Sequence, residues 1–308
     1  MQASEFHALR PSAFAIAYRM LGSVSEAEDA VQEGFLRLHR AREQGERIES
    51  PRAYLSTVVS RLALDHLRSA RRRRETYVGE WLPEPLVASA DDDPARKAEM
   101  ADSLSLAFLV LLESLSPEQR AAFLLREVFD EPYDRIADIV GTSEQNARQL
   151  TARARRHVAE RRPRFETSRE EQEELAARFF AAAEDGDLGG LEALLAHDVV
   201  LQGDGGGKAP ALARSLHGRS RVARTLLAWA RQGLRASGVV LHQVEVNGQP
   251  GALLRDGAGK LIGVMALDIA GGQIQAVSAI VNPDKLRHIG PIGDLRRFLR
   301  REEGARGP

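Results

Sequence analysis

The most specific chemistry in this chain lies in the segment YDRIADIVGTSEQNARQLTARARRH. Ile136 and Val140 fall at the apolar positions of one helix, and Ala147 and Leu150 at those of a second. Ala137 is small where the second helix must approach, and Gly141 supplies a permissive turn. Thr142 or Ser143 can cap the second helix, with Gln145 or Asn146 placed to answer from its first turn. Glu144, Gln145, Asn146, Arg148, Gln149 and Arg153 are then left facing outward. Amide and guanidinium groups at a helix N-terminus suit the reading of base edges in a major groove, because Arg pairs with guanine and Asn or Gln with adenine. Arg153, Arg155, Arg156 and Arg161 are placed for phosphates, which position a protein without reading sequence. A solvated hairpin that binds nothing would need the buried pattern but not this outward one.

A second basic cluster is Arg68 with Arg71, Arg72, Arg73 and Arg74, while Asp91, Asp92, Asp93 and the stretch from Glu166 to Glu174 are acidic. Lys plus Arg is 43 against Asp plus Glu 44, so net charge selects no partner, whereas this segregation gives one face to a polyanion. Hydrophobic residues at 43% and charged residues at 28% of 308 residues fit a soluble chain with two or three domains. The absence of cysteine removes disulfides, thiolate metal sites and cysteine nucleophiles, and fits a cytoplasmic protein. No apolar run reaches the roughly 20 residues that span a bilayer, and no signal peptide is visible. No cofactor, metal or membrane partner is expected.

These groups need elements to position them. Helical periodicity runs to about Arg74 through Ala13, Ile16, Ala17, Met20 and Leu21, then Ala30, Val31, Phe35 and Leu38. A third helix starts near Pro51, suited to a first turn, and continues through Leu55, Val58, Val59, Leu62 and Leu67. The stretch GEWLPEPLVASADDDP reads as a linker. Helices resume from about Lys97 to Arg162, punctuated at Ser116-Pro117 and Gly141-Thr142. After an acidic helix from Glu170 to Ala183 the period shortens. Strands are expected over Val239–Val246, Ala252–Arg255, Leu261–Ile269 and Ile274–Val281, joined by turns at Asn247-Gly248, Asp256-Gly257 and Gly271-Gly272. An antiparallel sheet behind an all-helical half makes an α+β unit.

Three helical segments resemble a known family. AYRMLGSVSEAEDAVQEGFLRLHRA is similar to sigma-factor regions 2.1 and 2.2, SPRAYLSTVVSRLALDHLRSARRRR to regions 2.3 and 2.4, and SPEQRAAFLLREVFDEPYDRIADIVGTSEQNARQLTARAR to region 4. Their order, with no region 3 between them, resembles extracytoplasmic-function sigma factors. The resemblance implies core RNA polymerase and promoter DNA as partners. Glu28, Asp29, Gln32 and Glu33 would meet the β′ clamp helices, the β subunit being a further polymerase contact. An ordinary solvated acidic face is the alternative for these four. Arg61, Arg68, Arg71, Arg72, Arg73 and Arg74 would meet the −10 element, and Gln145, Asn146, Arg148, Gln149, Arg153 and Arg156 the −35 element. Asp65 can orient Arg61 and Arg68. Tyr54 could stack on an unpaired base, but it lies on the apolar stripe and reads as core. The region has few aromatics, which favours a narrow promoter set.

Residues from about 170 to 286 resemble a SnoaL-like domain of the NTF2-like superfamily, a curved sheet packed on helices around a cone. Trp81-Leu82-Pro83-Glu84-Pro85, Asp204-Gly205-Gly206-Gly207-Lys208 and Asn282-Pro283-Asp284-Lys285-Leu286 together resemble the sigma subgroup known as ECF41, which carries such a domain. The expected organisation is region 2 over 1–75, a linker over 76–100, region 4 over 101–165, the cone over 166–290 and a tail over 291–308. Asp204 to Lys208 is no phosphate loop, because Ala209-Pro210 follows Lys208 where Ser or Thr should open a helix. Related cones use an Asp or His base with an oxyanion donor. Here His197, Asp198, His217 and Asp268 are available, yet all four tyrosines lie at or before position 133, and His197 and Asp198 read as a helix end and turn. No catalytic residue is expected.

The leading expectation is therefore a sigma factor modulated in cis, with no separate anti-sigma factor. The alternative is an NTF2-like enzyme or small-molecule sensor fused to a DNA-binding module, with an unknown small molecule in the cone. Trp81 would be costly to expose, so the linker should dock on the two C-terminal loops, or else bury Trp81 against region 2 alone.

Overall fold

The computed structural model describes residues 3–74, 76–87, 105–161, 167–232 and 238–296, apart from the side chains of residues 3, 4, 70–74 and 161. Two compact units are present, one built mainly from Met1–Thr76 and Phe108–Arg162, the other from Tyr77–Asp92 and Pro163–Pro308.

In the first unit, α1 (Ala3–Leu21), α2 (Val24–Glu43) and α3 (Pro51–Arg74) pack on one another. Ser23 caps α2 by accepting from the Glu26 amide at 3.2 Å. The stripe Ala27, Ala30, Val31 and Leu38 is almost wholly buried against Leu55, Val59 and Leu64 of α3 and Ala17, Met20 and Leu21 of α1. Then follow α4 (Leu106–Leu112), α5 (Pro117–Glu127), α6 (Tyr133–Val140) and α7 (Glu144–Arg161). Ser116 and Gln119 form a capping box with Pro117 in the first turn, so the Ser-Pro punctuation marks a helix start. Gly141 turns α6 into α7 with φ of 76°, a left-handed conformation that favours glycine.

Arg120 of α5 is 1% exposed within this unit. It donates to the Arg19 carbonyl of α1 at 3.2 Å and pairs with Glu113. Burial pushes its guanidinium down from the ordinary range, and the Glu113 carboxylate supplies the compensating charge.

The second unit opens with α8 (Arg169–Asp185) and α9 (Leu188–Leu194), followed by β1 (Leu195–Asp204), β2 (Leu216–His217), α10 (Arg219–Ala230), β3 (Val240–Val246), β4 (Gln249–Arg255), β5 (Leu261–Ala270) and β6 (Gln273–Ile280). Phe179 and Phe180 of α8, Leu191 of α9 and Leu226 of α10 bury against Leu201, Leu267 and Val277 of the sheet. Helices over one sheet are the arrangement expected of an NTF2-like cone. The sheet order is β2-β1-β6-β5-β4-β3. Two-residue turns at Asn247-Gly248 and Gly271-Gly272, both with positive φ throughout, close the hairpins as expected.

Two expectations are corrected. The sheet is not wholly antiparallel, because β1 runs parallel to β6, with Asp204 opposite Ile280. Hairpin turns reveal antiparallel neighbours only; a partner brought in through a long crossover leaves no local signal. His197 and Asp198 lie inside β1, where the register shifts between Leu195 and Val200, and not at a helix end. The bulge lets both side chains stay exposed within a mostly buried strand.

Candidate nucleic-acid interface and linker clamp

The outward residues of α7 emerge as a continuous exposed surface. Gln145, Asn146, Arg148, Gln149, Arg153 and Arg156 are all exposed, while Ala147, Thr151, Ala154 and Val158 are buried. Ser143 accepts from the Asn146 amide at 3.2 Å, and the Asn146 side chain donates to Thr142 at 2.7 Å, so both capping candidates are used. Arg148 pairs with Glu144 and lies 4.3 Å above the Tyr133 ring, which holds its guanidinium on the exposed face of α7. Arg148→Ala should therefore cost about 1–3 kcal/mol at one −35 base pair and relax specificity there. Arg153→Ala should weaken all variants alike. Competition binding over a set of −35 variants checks this; a uniform loss for Arg148→Ala would put the reading face elsewhere.

On α2, Asp29 and Gln32 are exposed and Glu28 and Glu33 half-buried. Glu28 pairs with Arg10, and Glu33 accepts from Arg37 at 2.8 Å. Leu36 is 42% exposed beside them, an apolar group on the same strip. Sequence reasoning passed over Leu36, although Asp29, Gln32 and Leu36 share helical spacing.

On α3, Arg61 is bound to Asp138 of α6 at 2.8 Å, and Arg68 to Glu118 of α5 at 3.1 Å and Asp65 at 3.3 Å. Burial acts to raise the Glu118 carboxyl, but hydrogen bonds from backbone and Arg68 outweigh it and hold it below its ordinary value. Exposed pairs of this kind are worth at most about 1 kcal/mol each, so a run of DNA phosphates can displace them. Tyr54 is half-buried. The side chains of Arg71, Arg72, Arg73 and Arg74 lie outside the described residues.

The three short motifs meet inside the second unit. Because β1 and β6 are parallel neighbours, the loop after Asp204 and the turn after Ile280 leave the sheet at the same end. Asp204 is 0% exposed and accepts from the Tyr77 hydroxyl at 2.6 Å, the Leu82 amide at 2.8 Å and the Lys285 ammonium at 2.7 Å. Lys285 is also buried and donates to the Leu82 carbonyl. Asn282 donates to the Tyr77 hydroxyl at 2.8 Å. Burial, and then the Asp204 carboxylate, pushes the Tyr77 phenol above its ordinary range, so it stays a donor. Gly206 has φ of 56°, and a Cβ there would stand 2.2 Å from Asn282 Nδ2. Its backbone curls tightly against the turn, which explains the glycines without any phosphate. Lys208 pairs with Asp284 across the two loops.

Trp81 is not the buried anchor expected of it. It is half-buried with its ring 4.1 Å from the Lys285 ammonium, whereas Leu82 is 1% exposed. The main-chain amide and carbonyl of Leu82 are the groups the buried charges hold. Pro83, Glu84 and Pro85 are buried, and the Pro85 carbonyl lies 2.8 Å from His288 Nε2. Leu86 exchanges bonds with Asn247, donating to its side chain at 2.9 Å and accepting from its amide at 2.8 Å. Glu80 accepts from the Ser215 amide at 2.7 Å. Tyr77, Glu80, Ser215, Asn247 and His288 were missed because each has an ordinary local reading; Asn247 looked like a turn residue and nothing more.

His197, Asp198 and His217 are exposed. Asp268 is half-buried, and burial raises its carboxyl. None of the four lines the cavity in the cone, which has no titratable side chain among its described lining residues. No metal-holding cluster and no membrane-spanning helix occur among the described residues.

A helix-turn-helix with an open reading face, behind a helical bundle carrying an acidic strip and an arginine-bearing helix, defines a DNA-binding transcription protein. The models for Sigma-70 region 2 and Sigma-70 region 4 match residues 6–73 and 105–158. The ECF RNA polymerase sigma factor SigJ of Mycobacterium tuberculosis is 40% identical over 296 residues, covering 92% of this chain and 93% of the relative. The probable ECF RNA polymerase sigma factor SigI of the same species is 35% identical over 274 residues, covering 88% and 90%. The crystal structure of M. tuberculosis SigJ superposes with a TM-score of 0.76 at 36% identity, over 95% of this chain and 100% of that one. The chain belongs to the ECF RNA polymerase sigma factors, and it directs transcription initiation with core RNA polymerase and promoter DNA as partners.

Proposed function

We propose that the C-terminal domain, of the ECF41-like kind, modulates this sigma factor in cis by holding the linker between regions 2 and 4. The observation that carries the reading is Asp204, a fully buried carboxylate whose three donors are Tyr77 and Leu82 of the linker and Lys285 of the last turn. Holding residues 77–87 against the C-terminal domain shortens the part of the linker that can adjust, and a shorter tether restricts which −10 and −35 spacings regions 2 and 4 can reach together. Regulation then resides in the chain itself and needs no separate anti-sigma protein, and the site of action is the cytoplasm.

In this reading Glu28, Asp29, Gln32 and Glu33 engage the β′ clamp helices. Arg61, Arg68 and the arginines 71–74 take the −10 element, and the α7 face takes the −35 element. Arg61 and Arg68 must exchange Asp138 and Glu118 for phosphates. The C-terminal domain is read as regulatory, a reading supported by a cavity whose described lining carries no titratable side chain for acid-base chemistry.

In vitro transcription with core polymerase over a promoter library tests the reading. Ending the chain at Thr167 should redistribute promoter use sharply, and Trp81→Ala and Asp284→Ala should do so partially. Identical promoter profiles for the full and shortened chains would make the domain a passenger.

A further inference from the structure

The cone holds a cavity of about 310 Å³ that opens to solvent on one side. Phe179 and Phe180 of α8, Trp229 of α10 and Met265 of β5 are among its walls. Its described lining holds no acidic, basic or hydroxyl side chain; Gln232 and the Trp229 indole supply its polar side-chain groups. Such a hollow is a poor place for water, which needs two to four polar partners, and an empty one leaves its lining without dispersion contacts. The volume falls at the lower end of the range that ligand clefts occupy, about 300–1,000 Å³. A carboxylate or phosphate would be stripped of water and offered no countercharge. We propose that this cavity is a binding site for an uncharged, predominantly hydrocarbon small molecule carrying at most a hydrogen-bonding group or two.

The position of the cavity gives such a ligand a route to the linker. Gly203 and Val281 both line it. Gly203 immediately precedes Asp204, and Val281 immediately precedes Asn282, the two side chains that hold Tyr77. The Val281 amide donates to the Asp204 carbonyl at 2.8 Å, tying the two strand ends together. The loop beyond is equally close: a Cβ on Gly203 would stand 3.0 Å from the Leu212 backbone nitrogen, and Leu212 is another lining residue. One side of this wall faces the ligand and the other carries the clamp. This route rests on the cis-regulatory reading; the binding site itself does not.

The test uses the full-length chain and N-phenyl-1-naphthylamine, an uncharged probe whose absorption overlaps tryptophan emission. With Trp81→Phe, Trp229 is the remaining tryptophan of the two in the sequence, and saturable quenching of it should accompany probe binding. The sulfonated analogue, 1-anilinonaphthalene-8-sulfonate, should bind about tenfold or more weakly, a loss of about 1.4 kcal/mol. Ala183→Phe and Ala279→Phe, which fill the hollow, should abolish quenching while leaving the melting transition in place. Hydrogen exchange on the unaltered protein gives a second readout, with probe-dependent protection expected in the segments holding Phe179–Ala183 and Leu226–Gln232. The site is refuted by absent or non-saturable probe binding, by equal binding to the filled variants, or by protection elsewhere. Binding seen only after Phe298→Ser and Leu299→Ser would make the occupant the chain's own tail and refute it too. If probe binding holds while Asp204 variants transcribe normally, the cis-regulatory reading fails and the ligand site stands.

Discussion

Asp204→Ala should cost about 3–5 kcal/mol, because it leaves the buried Lys285 ammonium without its carboxylate and the Leu82 amide without its acceptor. The ion pair is 7% and 0% exposed on its two sides, so solvent screening does not reduce it as it would a surface pair. Tyr77→Phe removes the hydrogen bond donated to the charged Asp204 and the one accepted from Asn282, and should cost about 1.5–3 kcal/mol. Asp204→Asn preserves shape but turns one oxygen into a donor facing other donors, so it should resemble the alanine variant more than the wild type. Urea unfolding followed by near-UV signal reads the loss, and limited proteolysis around Val78–Leu86 reads release of the linker. Wild-type stability with a protected linker in Asp204→Ala would remove Asp204 from the centre of the clamp.

The second large effect belongs to the first unit. Glu113→Ala leaves the buried Arg120 guanidinium uncompensated and should destabilise this unit by about 3–5 kcal/mol. Arg120→Met, which removes the charge and keeps an apolar stem of similar reach, should be much milder in the Glu113→Ala background than the sum of the two single changes. Arg120 ties α5 to the Arg19 carbonyl of α1, so region 4 elements should lose their hold on region 2 elements when the pair is broken. Denaturant unfolding of the four members of this double-mutant cycle measures the coupling. Additive losses would mean that the two side chains act independently.

Much of the exposed face of α7 was legible in sequence because a helix-turn-helix is local. Gly141, the Thr142-Ser143 cap and the alternation of Ala147, Ala154 and Val158 with Arg148, Gln149 and Arg153 fix which face of α7 is exposed, within a few helical turns. The hairpins were equally legible, since Asn247-Gly248 and Gly271-Gly272 carry their turn chemistry in two residues each. The three motifs around Trp81, Asp204 and Asn282 were visible too, but only as words. What joined them was the parallel pairing of β1 with β6, a contact between strands far apart in the chain that no local pattern encodes. That pairing sets Asp204 beside the turn holding Asn282 and Lys285, and it made Leu82 the buried anchor where side-chain size had favoured Trp81. In the first unit, packing of α3 against α5 and α6 did the same for Arg61 and Arg68: in sequence they are phosphate ligands that Asp65 can orient, and in the fold they already hold Asp138 and Glu118. Local propensity chose the elements and their exposed faces; burial of charge between distant segments, which is a property of three-dimensional packing, chose which of them meet.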